Sequence, residues 1–139
     1  MILAFHVLRS IGAVFAGLLA IVLLSVGTDI LLRASGVFPP AGSMMSNALF
    51  VLAVSYRCLY SIAGGYLAAH LARTRPMSHA LWLGAIGLFL GLAGLIVSWN
   101  AGPEFGPKWY PLTLVLSAIP CAWLGGWLEN RQTVRPNPA

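Results

Sequence analysis

Four stretches of this chain are long, apolar and almost free of charge, and they leave few choices of fold. They run from about Ser10 to Leu32, Asn47 to Ala72, His79 to Trp99 and Trp109 to Leu128. The hydrocarbon core of a bilayer is about 30 Å thick and takes about 20 helical residues to cross. Each stretch reaches that length. A membrane strand would alternate apolar and polar residues. These runs are apolar on every side, so the spanning element is a helix, whose backbone donors and acceptors satisfy one another. Composition agrees, with 59% hydrophobic and 8% charged residues against roughly 25% charged in soluble domains. The expected fold class is an all-α membrane protein of four transmembrane helices in a compact bundle. Residues 1–139 form one domain, and residues 129–139, "ENRQTVRPNPA", are expected to be a flexible tail.

The first run is expected to be a retained span. Its apolar stretch Ile11–Thr28 exceeds the roughly 7–15 residues of a signal-peptide core, and only Arg9 precedes it as a basic residue. The connections "ASGVFPPAGSMMSN", "RTRPMS" and "NAGPEFGPK" are short and rich in Gly and Pro, as turns require. In a four-pass weave Arg9, Arg73, Arg75, Arg131 and Arg135 fall on one side, Arg33 and Lys108 on the other. That bias predicts both termini in the cytoplasm. Trp99, Trp109 and Tyr110 would mark the outer interface, Trp82 and Trp127 the inner one. The net charge of +5 is thus assigned to a membrane face. No basic run with interleaved aromatics supports nucleic acid as a partner. Cys58 and Cys121 lie inside apolar runs without CxxC spacing, and are read as small core residues.

Small residues carry the packing signal. Ala80, Gly84, Gly87, Gly91, Gly94 and Ser98 recur at spacings of four and three, which puts them on one face of the third helix. Glycine costs a helix about 1 kcal/mol against alanine, so such a face implies a partner pressed close. The candidates are the first helix, through Ala13, Gly17 and Ala20, or a second copy of the chain. A weak internal repeat aligns "SIAGGYLAAHLA" with "AWLGGWLENRQT", setting Gly64 and Gly65 against Gly125 and Gly126. It would make the bundle two hairpins of like orientation. In the fourth helix Ser117, Cys121 and Gly125 share a face, and Pro120 predicts a kink.

Arg57 is the one basic residue well inside a run. If its helix begins near Asn47, Arg57 lies about 15 Å along it. Its guanidinium either snorkels outward or finds a partner inside. Asp29 is the carboxylate inside a span, and antiparallel first and second helices would bring the two together. Tyr56 and Tyr60 flank Arg57, and Tyr60 or Ser25 is expected beside the pair. The pair is either a structural clasp or the lining of a polar pocket. At the other face His6, His70 and His79 collect with Glu129. Their spacing matches no metal signature, so no metal is expected, and Glu129 should pair with Arg9, Arg73 or Arg131. No HExxH, GxSxG or phosphate loop is present, and neither enzymatic activity nor a cofactor is expected.

The segments "YRCLYSIAGGYLAAHLARTRPMSHALWLGAIGL" and "KWYPLTLVLSAIPCAWLGGWL" resemble a group of small four-helix bacterial inner-membrane proteins. That group carries YR, GGYLAxxLA, PMxHAL and WYP elements. The resemblance implies a shared pattern of Tyr56, Arg57, Gly64, Gly65, Pro76, His79, Ala80, Trp109, Tyr110 and Pro111, with Thr74 standing where the group often has proline. It implies a bacterial inner-membrane location and no particular activity. The leading expectation is a non-enzymatic bundle that self-associates, or joins a membrane partner, through its glycine face. The alternative is a small oligomeric permease or channel with Asp29 and Arg57 along the path.

Overall fold

A computed structural model describes residues 1–72 and 74–134. Arg73 and Arg135, two of the basic residues counted above, lie outside the described residues, as does the tail beyond Val134. Four helices dominate: α1 (Ile2–Ala34), α2 (Asn47–Ala72), α3 (Pro76–Trp99) and α4 (Trp109–Val134), with a single 3-10 turn at Pro103–Phe105 before α4. All four are long and apolar enough to cross a membrane.

Two helices outrun the expected spans. α1 starts at Ile2 rather than near Ser10 because "ILAFHVLR" holds no Gly or Pro to stop it. Its 33 residues extend about 50 Å at 1.5 Å each. α4 runs on to Val134, so the polar segment Glu129–Val134, expected as part of a loose tail, is helical. The next breaker is Pro136. Pro120 lies inside α4 without ending it. α3 begins earlier than His79, at Pro76, a residue suited to a first helical turn.

The helices weave up and down, leaving the start of α1 and the end of α4 at one end of the bundle (the termini end) and the loops after α1 and α3 at the other. α2 lies at the centre, against both α1 and α4, and α4 packs in turn on α3. α2 and α4 run parallel. Phe50 meets Tyr110 at the loop end, 5.0 Å between ring centroids. Tyr66 donates to Gln132 Oε1 at 2.6 Å at the termini end.

Glycines set these approaches. A Cβ on Gly17 would lie 2.6 Å from the Gly64 carbonyl oxygen, so α1 and α2 touch backbone to backbone. A Cβ on Gly65 would lie 2.6 Å from the Ala122 carbonyl, and one on Gly125 would lie 2.6 Å from the Tyr66 nitrogen. Gly126 faces Ala80, which is fully buried. The stripe on α3 is covered by α4. Gly84 meets Ala122 and Ile119, Gly87 meets Ala118, and Gly91 meets Val115. Neither the first helix nor a second copy is therefore what this face packs on, from Ala80 to Gly91. Gly94 has no neighbour where a Cβ would stand, and Ser98 turns its hydroxyl back to the Leu95 carbonyl at 3.2 Å.

The loop end is filled by large side chains instead. After α1 the chain reverses at Gly36 (φ +78), and the Phe38 N–H closes on the Leu32 carbonyl at 2.9 Å. Phe38 is thereby buried against Ala53 and Tyr56. Gly106 (φ +86) passes beneath the Phe50 ring, where a side chain would collide with it.

Candidate functional site

The polar centre of the molecule lies in the loop-end half, where α1 and α2 face each other. Tyr56 and Tyr60 are one helical turn apart, and so share a face. That face meets Thr28 and Asp29, consecutive residues of α1. The Tyr56 hydroxyl donates to Asp29 Oδ1. Arg57 Nη2 donates to Asp29 Oδ2 at 2.6 Å. The carboxylate is thus gripped by a phenol on one oxygen and a guanidinium on the other.

Tyr60 reaches Thr28, the residue before Asp29, rather than the carboxylate itself. Its hydroxyl lies 2.6 Å from Thr28 Oγ1. Thr28 already donates to the Leu24 carbonyl at 2.8 Å, so Tyr60 is the donor. Tyr56 is therefore the phenol that touches the charge pair. The signal was the four-residue spacing of the tyrosines set against Thr28-Asp29. Ser25, one turn from Asp29, is buried.

Arg57 is incompletely satisfied. Its Nε is buried and has no hydrogen-bond partner. The side chain as a whole is 31% exposed, and it lines two cavities. One, of about 290 Å³, lies among all four helices and carries Ser25, Cys58, Ser61 and Ser117 as its other polar side chains. The second, of about 370 Å³, lies nearer the loops, walled by Gly91, Gly94, Ser98, Phe105 and Tyr110. The open glycine of the α3 stripe, Gly94, thus belongs to a cavity wall. Cys58 and Cys121 are free thiols, each half-buried.

The donor arithmetic decides what such a site can do. A guanidinium offers five N–H donors and no acceptor. Nε and Nη2 share one edge of the plane, the edge that holds carboxylates and similar oxyanions in a two-point fork. Asp29 takes only Nη2, because Tyr56 holds its other oxygen. The other half of the fork, Nε, is buried without a partner.

The second cluster resolves differently from the expectation. Glu129 is buried and, among the described residues, forms no ion pair with Arg9 or Arg131, while Arg73 lies outside the described residues. Its Oε1 lies 3.5 Å from His70 Nδ1 and accepts from Thr133 Oγ1 at 2.9 Å. Arg9 Nε donates to the Leu71 carbonyl at 3.2 Å, and Arg131 stacks on Trp127 at 4.2 Å. Tyr66 stacks on His70 with ring centroids 6.0 Å apart. His79 Nδ1 lies 3.0 Å from the Arg75 carbonyl oxygen instead of joining the cluster. Among the described residues no group of His, Cys, Asp and Glu is arranged to hold a metal ion.

Comparison with protein-family models, curated proteins and solved structures gives no match.

Proposed function

We propose that this chain is a non-enzymatic, multi-pass membrane protein that admits a small anionic solute to the cavities around Arg57. One observation carries the reading: a guanidinium held to its carboxylate through Nη2 alone lines two cavities. Charged groups are costly within a bilayer and are by default a functional hypothesis. The lining favours an anion, since Arg57 supplies donors only and the serine hydroxyls can add to them. Four helices enclose little room, so the path is completed by further copies or by a membrane partner.

Assembly as the main role is the second reading. It is supported by α1, which fully buries only Ala13, Gly17 and Ser25 and exposes large apolar side chains such as Leu8, Ile11, Phe15, Leu19 and Leu23. It draws less from the α3 stripe, since α4 already occupies that face from Ala80 to Gly91.

The same proposal places the protein in the bacterial inner membrane with both termini cytoplasmic. Arg9, Arg75 and Arg131 at the termini end against Arg33 and Lys108 at the other support this orientation. It also keeps membership of the four-helix group carrying the YR and WYP elements, and the α1–α2 and α3–α4 hairpins as a repeat. Nitrate is a suitable probe, being planar, small and monovalent. Liposomes containing the wild-type chain should admit nitrate, and Arg57→Ala of equal insertion should lose that flux. Equal flux through both proteins would overturn the reading.

A further inference from the structure

We infer that Cys58 and Cys121 form a redox-modifiable dithiol: a small organic disulfide entering the cavity among the four helices converts the two thiols into a bond between α2 and α4. The inference goes beyond the anion-site reading and does not depend on it. Each cysteine stands near the middle of a 26-residue helix. α2 and α4 run parallel, so the two lie at one height. The register is fixed one turn further along. Gly125 abuts the Ile62 carbonyl, backbone to backbone, and Cys58 and Cys121 each lie four residues before these positions. Four residues is close to one helical turn, so each cysteine projects from the face that makes the contact. Ala122, the residue after Cys121, is itself in backbone contact with Gly65, so α4 is held against α2 at this height. A disulfide joins Cα atoms no more than about 7 Å apart, and helices packed through glycine approach closely enough for that. The two thiols meet side chain to side chain, within hydrogen-bonding reach, and both are free.

The two thiols are not equivalent. Cys58 belongs to the cavity lining, beside Arg57 and Ser61, and Cys121 lies outside that lining. Cys58 is therefore the first to react. Its thiolate attacks one sulfur of the incoming disulfide, which forms a mixed disulfide and expels one thiolate, and the expelled group takes the Cys58 proton. Cys121 then gives up its proton and attacks the Cys58 sulfur. The bond between the two cysteines forms, and the second half of the reagent leaves as a thiol. Two cysteine thiols are oxidised, one small disulfide is reduced to two thiols, and both protons end on the products. Exchange with a dithiol runs the sequence backwards and restores the free pair. The bond extends the close contact at Gly125 by one turn, into the wall of the cavity that Arg57 lines.

The test uses the full-length protein in liposomes with dipyridyl disulfide as probe. Release of thiopyridone is followed by absorbance, and the intact mass is read under denaturing, non-reducing conditions. The wild type should release two thiopyridones per chain and end as a monomer lighter by two hydrogen atoms, with no pyridyl group attached. A reducing dithiol should restore the original mass. Cys121→Ser should release one thiopyridone and keep one pyridyl group on Cys58. Cys58→Ser should react more slowly, since its remaining thiol lies outside the cavity lining. The wild-type mass decides the pairing even if neither variant inserts. A wild type that keeps one or two pyridyl groups, or that links to a second copy, would overturn the inference. So would two thiols that stay unreacted. Nitrate flux has no part in this readout, so failure of the anion site and failure of the dithiol are told apart.

Discussion

Around the termini end, α1, α2 and α4 touch through glycine, with the Gly17, Gly65 and Gly125 backbones against the next helix. Around the loop end, the same helices stand apart, separated by Tyr56, Arg57, Tyr60, Phe38 and Phe50, and cavities remain between them. The contrast shows two ways of holding helices together where apolar burial gives little drive between them. Close backbone contact maximises dispersion and leaves no room. A charge pair with phenol donors fixes two helices at a distance and leaves donors over. The closed half carries the packing energy, and the open half carries whatever chemistry the molecule has.

Substitutions should separate the halves. The largest effect is expected from Gly125→Leu, whose side chain would meet the α2 backbone at Ile62 and Tyr66. Overpacking against backbone that cannot move should cost more than about 3 kcal/mol, read as loss of a folded, monodisperse species or of its unfolding transition. Asp29→Ala should follow. It leaves Arg57 and Tyr56 without their shared acceptor, and about 1–3 kcal/mol should be lost in reversible unfolding. Gly94→Leu should have the smallest effect on stability. Nothing stands within 4 Å of its Cβ position, and replacing glycine in a helix should raise stability by up to about 1 kcal/mol. The same side chain would enter the cavity beside Arg57, so nitrate flux should drop while stability does not. If Gly94→Leu and Gly125→Leu destabilise equally, the contrast between the halves fails.

Much of this architecture is readable in the residues, for physical reasons. Each span is long enough to cross a bilayer and bounded by Gly- and Pro-rich turns. α2 is bracketed by the prolines before it and by Pro76 after it, so Asn47–Ala72 can be placed closely. Asp29 and Arg57 are readable as a pair because hydrocarbon offers neither of them another counter-ion. The ends of α1 and α4 are less readable, since a helix continues past the bilayer until a breaker stops it, and hydropathy does not register that continuation. The α3 glycine face declares by its period that something lies against it, but spacing carries no information on which helix that is. α4 takes the place because Ala118, Ile119 and Ala122 present small or yielding surface at matching heights. The choice between Tyr56 and Tyr60 turns on a rotation of about one residue between α1 and α2, finer than any sequence period. Glu129 and His70 pair because α2 and α4 run parallel, which depends on how four helices are arranged.

Cys58 gives the most direct test of the open half, because it lines the same cavity as Arg57. In a Cys121→Ser background it is the single thiol, and a small anionic methanethiosulfonate should label it in membranes, more slowly when nitrate is present. A thiol placed at Ala68, fully buried in the closed half, should stay unlabelled when Cys58 and Cys121 are both serine. Labelling of Cys58 with protection by nitrate is the result expected here. A Cys58 as inert as the thiol at position 68 would mean that the loop-end half is sealed, and that Arg57 meets no solute.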